Sequence, residues 1–160
     1  MPYLIDGSNL IGHSPHLTLM DPRSKRRLAA QLAIFQATKR TKLTLVFDGP
    51  PDNELVGERF RRKEFSILWP DMDESADTVI KRQVEKQTDM RHFYVVSSDR
   101  EIKSFVKECG AKSMDCEEFH KLLKTTLEEY KESIAMDKED ISLSPLEVDH
   151  WQKIFGDPDE

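Results

Sequence analysis

Three short apolar runs in this chain each stop at turn-forming residues that include an aspartate. Tyr3–Ile5 leads into Asp6-Gly7-Ser8-Asn9, Leu43–Phe47 into Asp48-Gly49-Pro50-Pro51, and Phe93–Val96 into Ser97-Ser98-Asp99. Runs of this length closed by turn chemistry read as buried strands. Helical spacing fills the gaps between them: Leu28, Leu32 and Phe35 within residues 24–39, then Ala76, Val79, Ile80 and Val84, then Ile102, Phe105, Val106 and Cys109. Gly110 fits the position just past a helix end. Phe65–Trp69, stopped by Pro70, and the weak run Ala111–Met114 add two strands. Asp115 and Glu118 resemble a capping box opening a long helix that fades near residue 135. Residues 6–9 read as a turn, and 52–64 as a charged loop or short exposed helix. The alternation predicts an α/β fold, a three-layer α/β/α sandwich with a mainly parallel sheet.

That topology gives the aspartates a shared address. In open α/β sheets the functional crevice lies at the carboxyl ends of the strands. Asp6, Asp48 and Asp99 would meet there, and a helix opening near residue 76 would add Asp77 and, less directly, Glu74. One aspartate at a strand end is ordinary turn or N-cap chemistry. Several in one crevice repel each other unless neutralised. A bound Mg²⁺ or Mn²⁺ removes that repulsion, because hard cations prefer oxygen ligands. Such ions activate a water and stabilise the leaving oxygen in phosphodiester hydrolysis. Asp6, Asp77 and Asp99 are the expected metal ligands, with Asp48 a ligand or supporting acid. Asn9 is placed to orient a carboxylate, a water or a phosphate, and Gly7 to allow close backbone approach. Ser98 and Glu101 form a capping box, and Ser98 also borders the cleft. Trp69 is either a base-stacking platform or a packing residue.

Net charge complicates a nucleic-acid reading until its distribution is examined. The 160 residues carry 24 bases and 30 acids, a net of −6. Residues 128–160 hold eleven of those acids and three bases, so residues 1–127 hold 19 acids and 21 bases. The body is slightly basic, and its bases cluster at Arg23, Lys25, Arg26 and Arg27, at Lys39, Arg40 and Lys42, and at Arg59, Arg61, Arg62 and Lys63. Arg26, Arg27, Arg59, Arg61, Arg62, Lys63 and Ser98 are the candidate RNA contacts; solvated helix faces are the plainer alternative. The two cysteines, Cys109 and Cys116, match neither a zinc signature nor a disulfide framework. The apolar start is interrupted by Asp6 and lacks a basic leader, and no run approaches the ~18 apolar residues of a membrane span. A cytoplasmic protein is expected. Residues 1–135 read as the folded domain, and 136–160 as an acidic linker with a short helix carrying Trp151, Ile154 and Phe155.

Four segments together carry a resemblance. Leu4-Ile5-Asp6-Gly7-Ser8-Asn9-Leu10-Ile11-Gly12, Val46-Phe47-Asp48-Gly49, Glu74-Ser75-Ala76-Asp77 and Ser97-Ser98-Asp99 resemble the NYN branch of the PIN-like nucleases, most of all its YacP-type members. Each segment alone is weak; four in order at strand ends over roughly residues 3–120 are specific. The resemblance implies a PIN-like fold of Rossmann-like form, metal-dependent RNA cleavage, and site roles for Asp6, Asn9, Asp48, Asp77 and Asp99. One departure is Ser8, where YacP-type members usually carry an aromatic residue. The order also resembles the 5′-nuclease domains of DNA polymerases, which need DNA-clamping helices for which this chain leaves little room. Haloacid-dehalogenase chemistry is disfavoured, because it needs an aspartate where Ser8 stands.

The resulting expectation is an endoribonuclease using Mg²⁺ or Mn²⁺. The alternatives are a non-catalytic RNA- or ribonucleoprotein-binding module, a 5′-nuclease-like enzyme acting on DNA, and an adaptor working through the tail and Trp151. A weakly charged body should bind free RNA poorly, so a ribosome or another ribonucleoprotein is the expected partner. RNA binding should then depend on divalent metal.

Overall fold

The computed structural model describes residues 2–14, 17–56 and 64–137. Along the chain run β1 (Tyr3–Asp6), α1 (Gly7–Gly12), α2 (Arg23–Lys39), β2 (Leu43–Val46), α3 (Asn53–Val56), β3 (Phe65–Leu68), α4 (Ala76–Glu85), β4 (Tyr94–Val96), α5 (Arg100–Glu108), β5 (Lys112–Met114) and α6 (Cys116–Asp137). The strands form one parallel sheet in the order β3-β2-β1-β4-β5. β1 is central: Ile5 lies opposite Leu45 on one side and Val96 on the other. The strand order reverses direction beside β1, so the gap between the ends of β1 and β4 is the switch point where such sheets open a crevice.

Period-two burial sorts the core into two layers. Ile5, Leu43, Leu45 and Val96 face Leu28, Leu32, Phe35, Phe119 and Leu123 of α2 and α6. Leu4, Val46 and Val95 face Val79, Ile80, Ile102 and Val106 of α4 and α5. Both faces of the sheet are therefore covered, which is why its strands read as continuous apolar runs and not as alternating ones. Phe35, Phe47, Phe65 and Phe119 are fully buried; truncating any of them to Ala should cost about 3–5 kcal/mol. Gly110 follows α5 with φ +86°, as its position past the helix end requires.

Three local expectations change. Residues 7–12 are helix, not turn: Asp6 caps α1 by accepting from the Asn9 N–H. Turn and cap chemistry begin with the same residue types, and α1 is too short to show a periodic stripe. The Ser98–Glu101 box does not form. Asp99 caps α5 by accepting from the Glu101 and Ile102 N–H groups, and Glu101 pairs with Lys81 at 2.7 Å. The α6 cap differs too, because the Ser98 hydroxyl accepts from the Cys116 N–H at 3.0 Å while the Asp115 carboxylate pairs with Lys103.

Candidate active site

Asp6 ends the central strand and is almost completely buried, with 5% of its surface exposed. Two groups fix its carboxylate: Oδ1 accepts from the Asn9 N–H at 3.4 Å, and Oδ2 from the Ser97 hydroxyl at 3.1 Å. Burial pushes its carboxyl up to about 6, against the pull of those hydrogen bonds; the charges of Asp48 and Asp77 push the same way. Asp77, in the first turn of α4, is also raised, first by burial and then by Asp99, Glu101 and Asp48, with Lys81 opposing. Asp77 thus lies within electrostatic reach of Asp6, Asp48 and Asp99, and Asp6 within reach of Asp48. Exposure grades across them: Asp6 is buried, Asp77 and Asp99 half-buried, and Asp48 exposed. Glu74 is drawn off by Arg82 at 2.9 Å.

α1 can lie against the sheet end only because residue 7 is glycine. A Cβ there would stand 2.6 Å from the Phe47 ring and 2.9 Å from Leu45 Cδ1. The close approach that Gly7 allows is to Phe47. It sets Ser8 beside β2, where the Ser8 hydroxyl accepts from the Asp48 N–H at 3.1 Å. The small residue that departs from the aromatic pattern therefore positions the Asp48 backbone.

A second set of bonds ties α1 to the β4 end. Asn9 Oδ1 accepts from the Ser98 N–H at 2.8 Å and from the Cys116 thiol at 3.1 Å. Cys116 is fully buried, and burial raises its thiol. His120 Nε2 donates to the Leu10 carbonyl at 2.8 Å. Ser97 links the two sides of the switch point: its hydroxyl donates to Asp6 and accepts from the Asp99 N–H at 3.2 Å. Ser97 and Cys116 escaped the sequence reading. Ser97 had a signal, a serine two residues before Asp99 that fits an ST-turn; Cys116 had none, because its contact spans 107 residues.

Oxygen donors of this kind suit Mg²⁺ or Mn²⁺, and a buried carboxylate crowded by two like charges favours a cation. Among the described residues, no three His, Cys, Asp or Glu side chains are already gathered into a metal-holding group. The basic candidates divide. Arg26 pairs with Asp52 at 3.0 Å and Glu54 at 3.1 Å. Arg27 is half-buried on α2. Ser98 borders the crevice as a helix cap. Arg59, Arg61, Arg62, Lys63 and the segment 138–160 lie outside the described residues. Two cations among the described residues reach the site: Lys25 donates to the Asp48 carbonyl at 2.9 Å, and Lys81, paired with Glu101, acts on Asp77.

The all-parallel five-stranded sheet covered by helices on both faces defines a three-layer α/β domain with acids at its switch point. The chain belongs to the YacP-like NYN domain family, whose model matches residues 3–155. That match takes in most of the segment after 135, which the four motifs leave out. Two crystal structures are similar to it. One is Rae1 (YacP) from Bacillus subtilis, at 18% identity and a TM-score of 0.73, covering 88% of this chain and 83% of that one. The other is a tryptophan-to-leucine variant of Rae1, at 19% identity and a TM-score of 0.71, covering 96% and 91%. Among curated proteins no sequence matches. No helix among the described residues is long and apolar enough to cross a membrane.

Proposed function

We propose that the chain is a Mg²⁺- or Mn²⁺-dependent endoribonuclease, with Asp6, Asp77 and Asp99 as metal ligands and Asp48 completing the acidic ring. The observation that carries the reading is the buried Asp6 carboxylate, held by two hydrogen bonds and crowded by Asp48 and Asp77 at the switch point of the sheet. When bound, the ion would polarise the phosphoryl oxygen and make water a nucleophile near neutral pH. The chain's own part is positioning. Ser97 and the α1 cap hold Asp6 in one rotamer, and the α5 cap holds Asp99. Asn9 Oδ1 is committed to Ser98 and Cys116, which leaves its amide NH₂ as the end for a phosphate or water. Lys25, anchored on the Asp48 carbonyl, supplies positive charge where an RNA backbone would enter. A ribonucleoprotein, such as a ribosome, is the proposed source of the RNA.

RNA cleavage with Mn²⁺ tests the reading, comparing the native protein with Asp6→Asn and Asp99→Asn. Loss of cutting in both variants is expected; equal cutting would remove these residues from the site. One observation favours a second reading, a non-catalytic RNA-binding module: Asp6 and Asp99 both already serve as helix caps. RNA binding without Mn²⁺ binding would select it.

A further inference from the structure

A cleft shares Lys25 with the Asp48 end of β2. Its volume is about 290 Å³, and it opens between the α1–α2 connection and the segments that follow β2 and β3, with Trp69, Leu19, Met20, Lys25, Asp21 and Asp52 among its walls. Its size falls at the bottom of the ~300–1,000 Å³ range of small-molecule sites, which suits one planar ring system.

The walls are chemically specific. Trp69 is half-buried and fixed against Phe47, ring centroids 5.2 Å apart. Leu19 and Met20 are 55% and 91% exposed, although each is a large apolar side chain. The polar groups are already held in place: Asp52 by Arg26 at 3.0 Å, and Asp21 by Arg23 at 3.2 Å. Carboxylates accept only, so they favour a ligand whose edge carries N–H donors. Lys25 joins the cleft to the acids. Its ammonium donates to the Asp48 carbonyl at 2.9 Å and stands 5.5 Å from the Trp69 ring centroid. A cation shared by an aromatic floor and an acidic crevice fits a ligand that carries a flat base beside a phosphate. Stacking on an aromatic ring requires an unpaired base.

The geometry points to a base-binding subsite: we propose that this cleft takes one nucleobase of a single-stranded RNA, stacked on Trp69 and covered by Leu19 and Met20, next to the phosphate at the acids. The proposal rests on the nuclease reading for the identity of the strand.

The test uses the full chain with Trp151→Phe, which leaves Trp69 as its sole tryptophan. Ca²⁺ replaces Mn²⁺ so that the strand is bound and not consumed. A short single-stranded RNA should quench Trp69 fluorescence, and an abasic sugar–phosphate chain of the same length should not. In the Trp151-containing protein, Trp69→Ala should weaken binding of the base-bearing strand about tenfold, read by anisotropy, and leave the abasic chain unaffected. Trp69→Phe should restore most of that loss. Met20→Glu, on an exposed side chain, should also weaken the base-bearing strand and guards against misfolding of Trp69→Ala. Equal quenching by the abasic chain, or RNA that binds and is later cut with Mn²⁺ while these variants bind it normally, would overturn the cleft and leave the nuclease reading standing. Failure to bind RNA at all would overturn both.

Discussion

The two walls of the crevice hold charge by opposite means. On the β1–β4 side, negative charge is buried and fixed by neutral donors: the Ser97 hydroxyl, the Asn9 N–H and the N–H groups opening α5. Among the described residues the bonds to Asp6 come from neutral donors, and its carboxyl rises to about 6 because burial outweighs those bonds. On the β2–α2 side, Asp48 is exposed, Lys25 sits on its carbonyl, and Arg26 holds Asp52. The first wall holds a buried carboxylate whose charge burial disfavours. The second is already neutralised and carries the aromatic ring. Under the proposed function, the first wall would take the metal and the second the RNA strand.

Asp6→Asn gives the sharpest break in the comparison. Cleavage should fall by more than about a hundredfold, since even residues that only support a metal ligand cost about 10–100-fold. The same change should stabilise the metal-free protein. Native Asp6 binds its proton more tightly than the unfolded chain does, so its contribution falls as pH rises from about 4 to about 6 and then levels off. The penalty at pH 7 is about 3 kcal/mol. Denaturation of the two proteins should therefore coincide near pH 4, with the variant more stable at pH 7. A difference that does not change with pH would contradict the burial of Asp6 as an anion held by neutral donors.

Smaller effects map the supports. Gly7→Ala places a methyl against Phe47 and should cost about 1–3 kcal/mol, seen as a lower urea midpoint. Asn9→Ala leaves the Ser98 N–H without its acceptor and should cost about 1–3 kcal/mol by the same measurement. Cleavage should fall further than the stability loss alone explains, if the Asn9 amide meets the phosphate as the proposed function requires. Arg26→Ala should be mildest in the same measurement, because surface ion pairs contribute little, and should weaken RNA binding less than Lys25→Ala. The reverse order would move the RNA path onto α2.

The chain announces its sheet and its acids through local chemistry. Buried strands stopped by Asp6, Asp48 and Asp99 are visible as apolar runs with turn residues, and parallel topology then gathers their ends. Periodicity also gives α2, α4, α5 and α6. What it cannot give is long-range. The Asn9–Cys116 and Ser97–Asp6 contacts join residues far apart in the chain. α1 was legible only as a turn, because its six residues complete too few turns to show a face. The caps of α5 and α6 went to Asp99 and Ser98 because tertiary placement, not spacing, decided which side chain met each free N–H.

The central claim is that the acid wall is built for a divalent ion. A crystal of the native protein soaked in Mn²⁺ tests it most directly, read by anomalous density. The account predicts a peak touching the carboxylates of Asp6, Asp77 and Asp99, absent in the Asp6→Asn protein. No peak at these carboxylates, in a protein that still binds RNA, would contradict it.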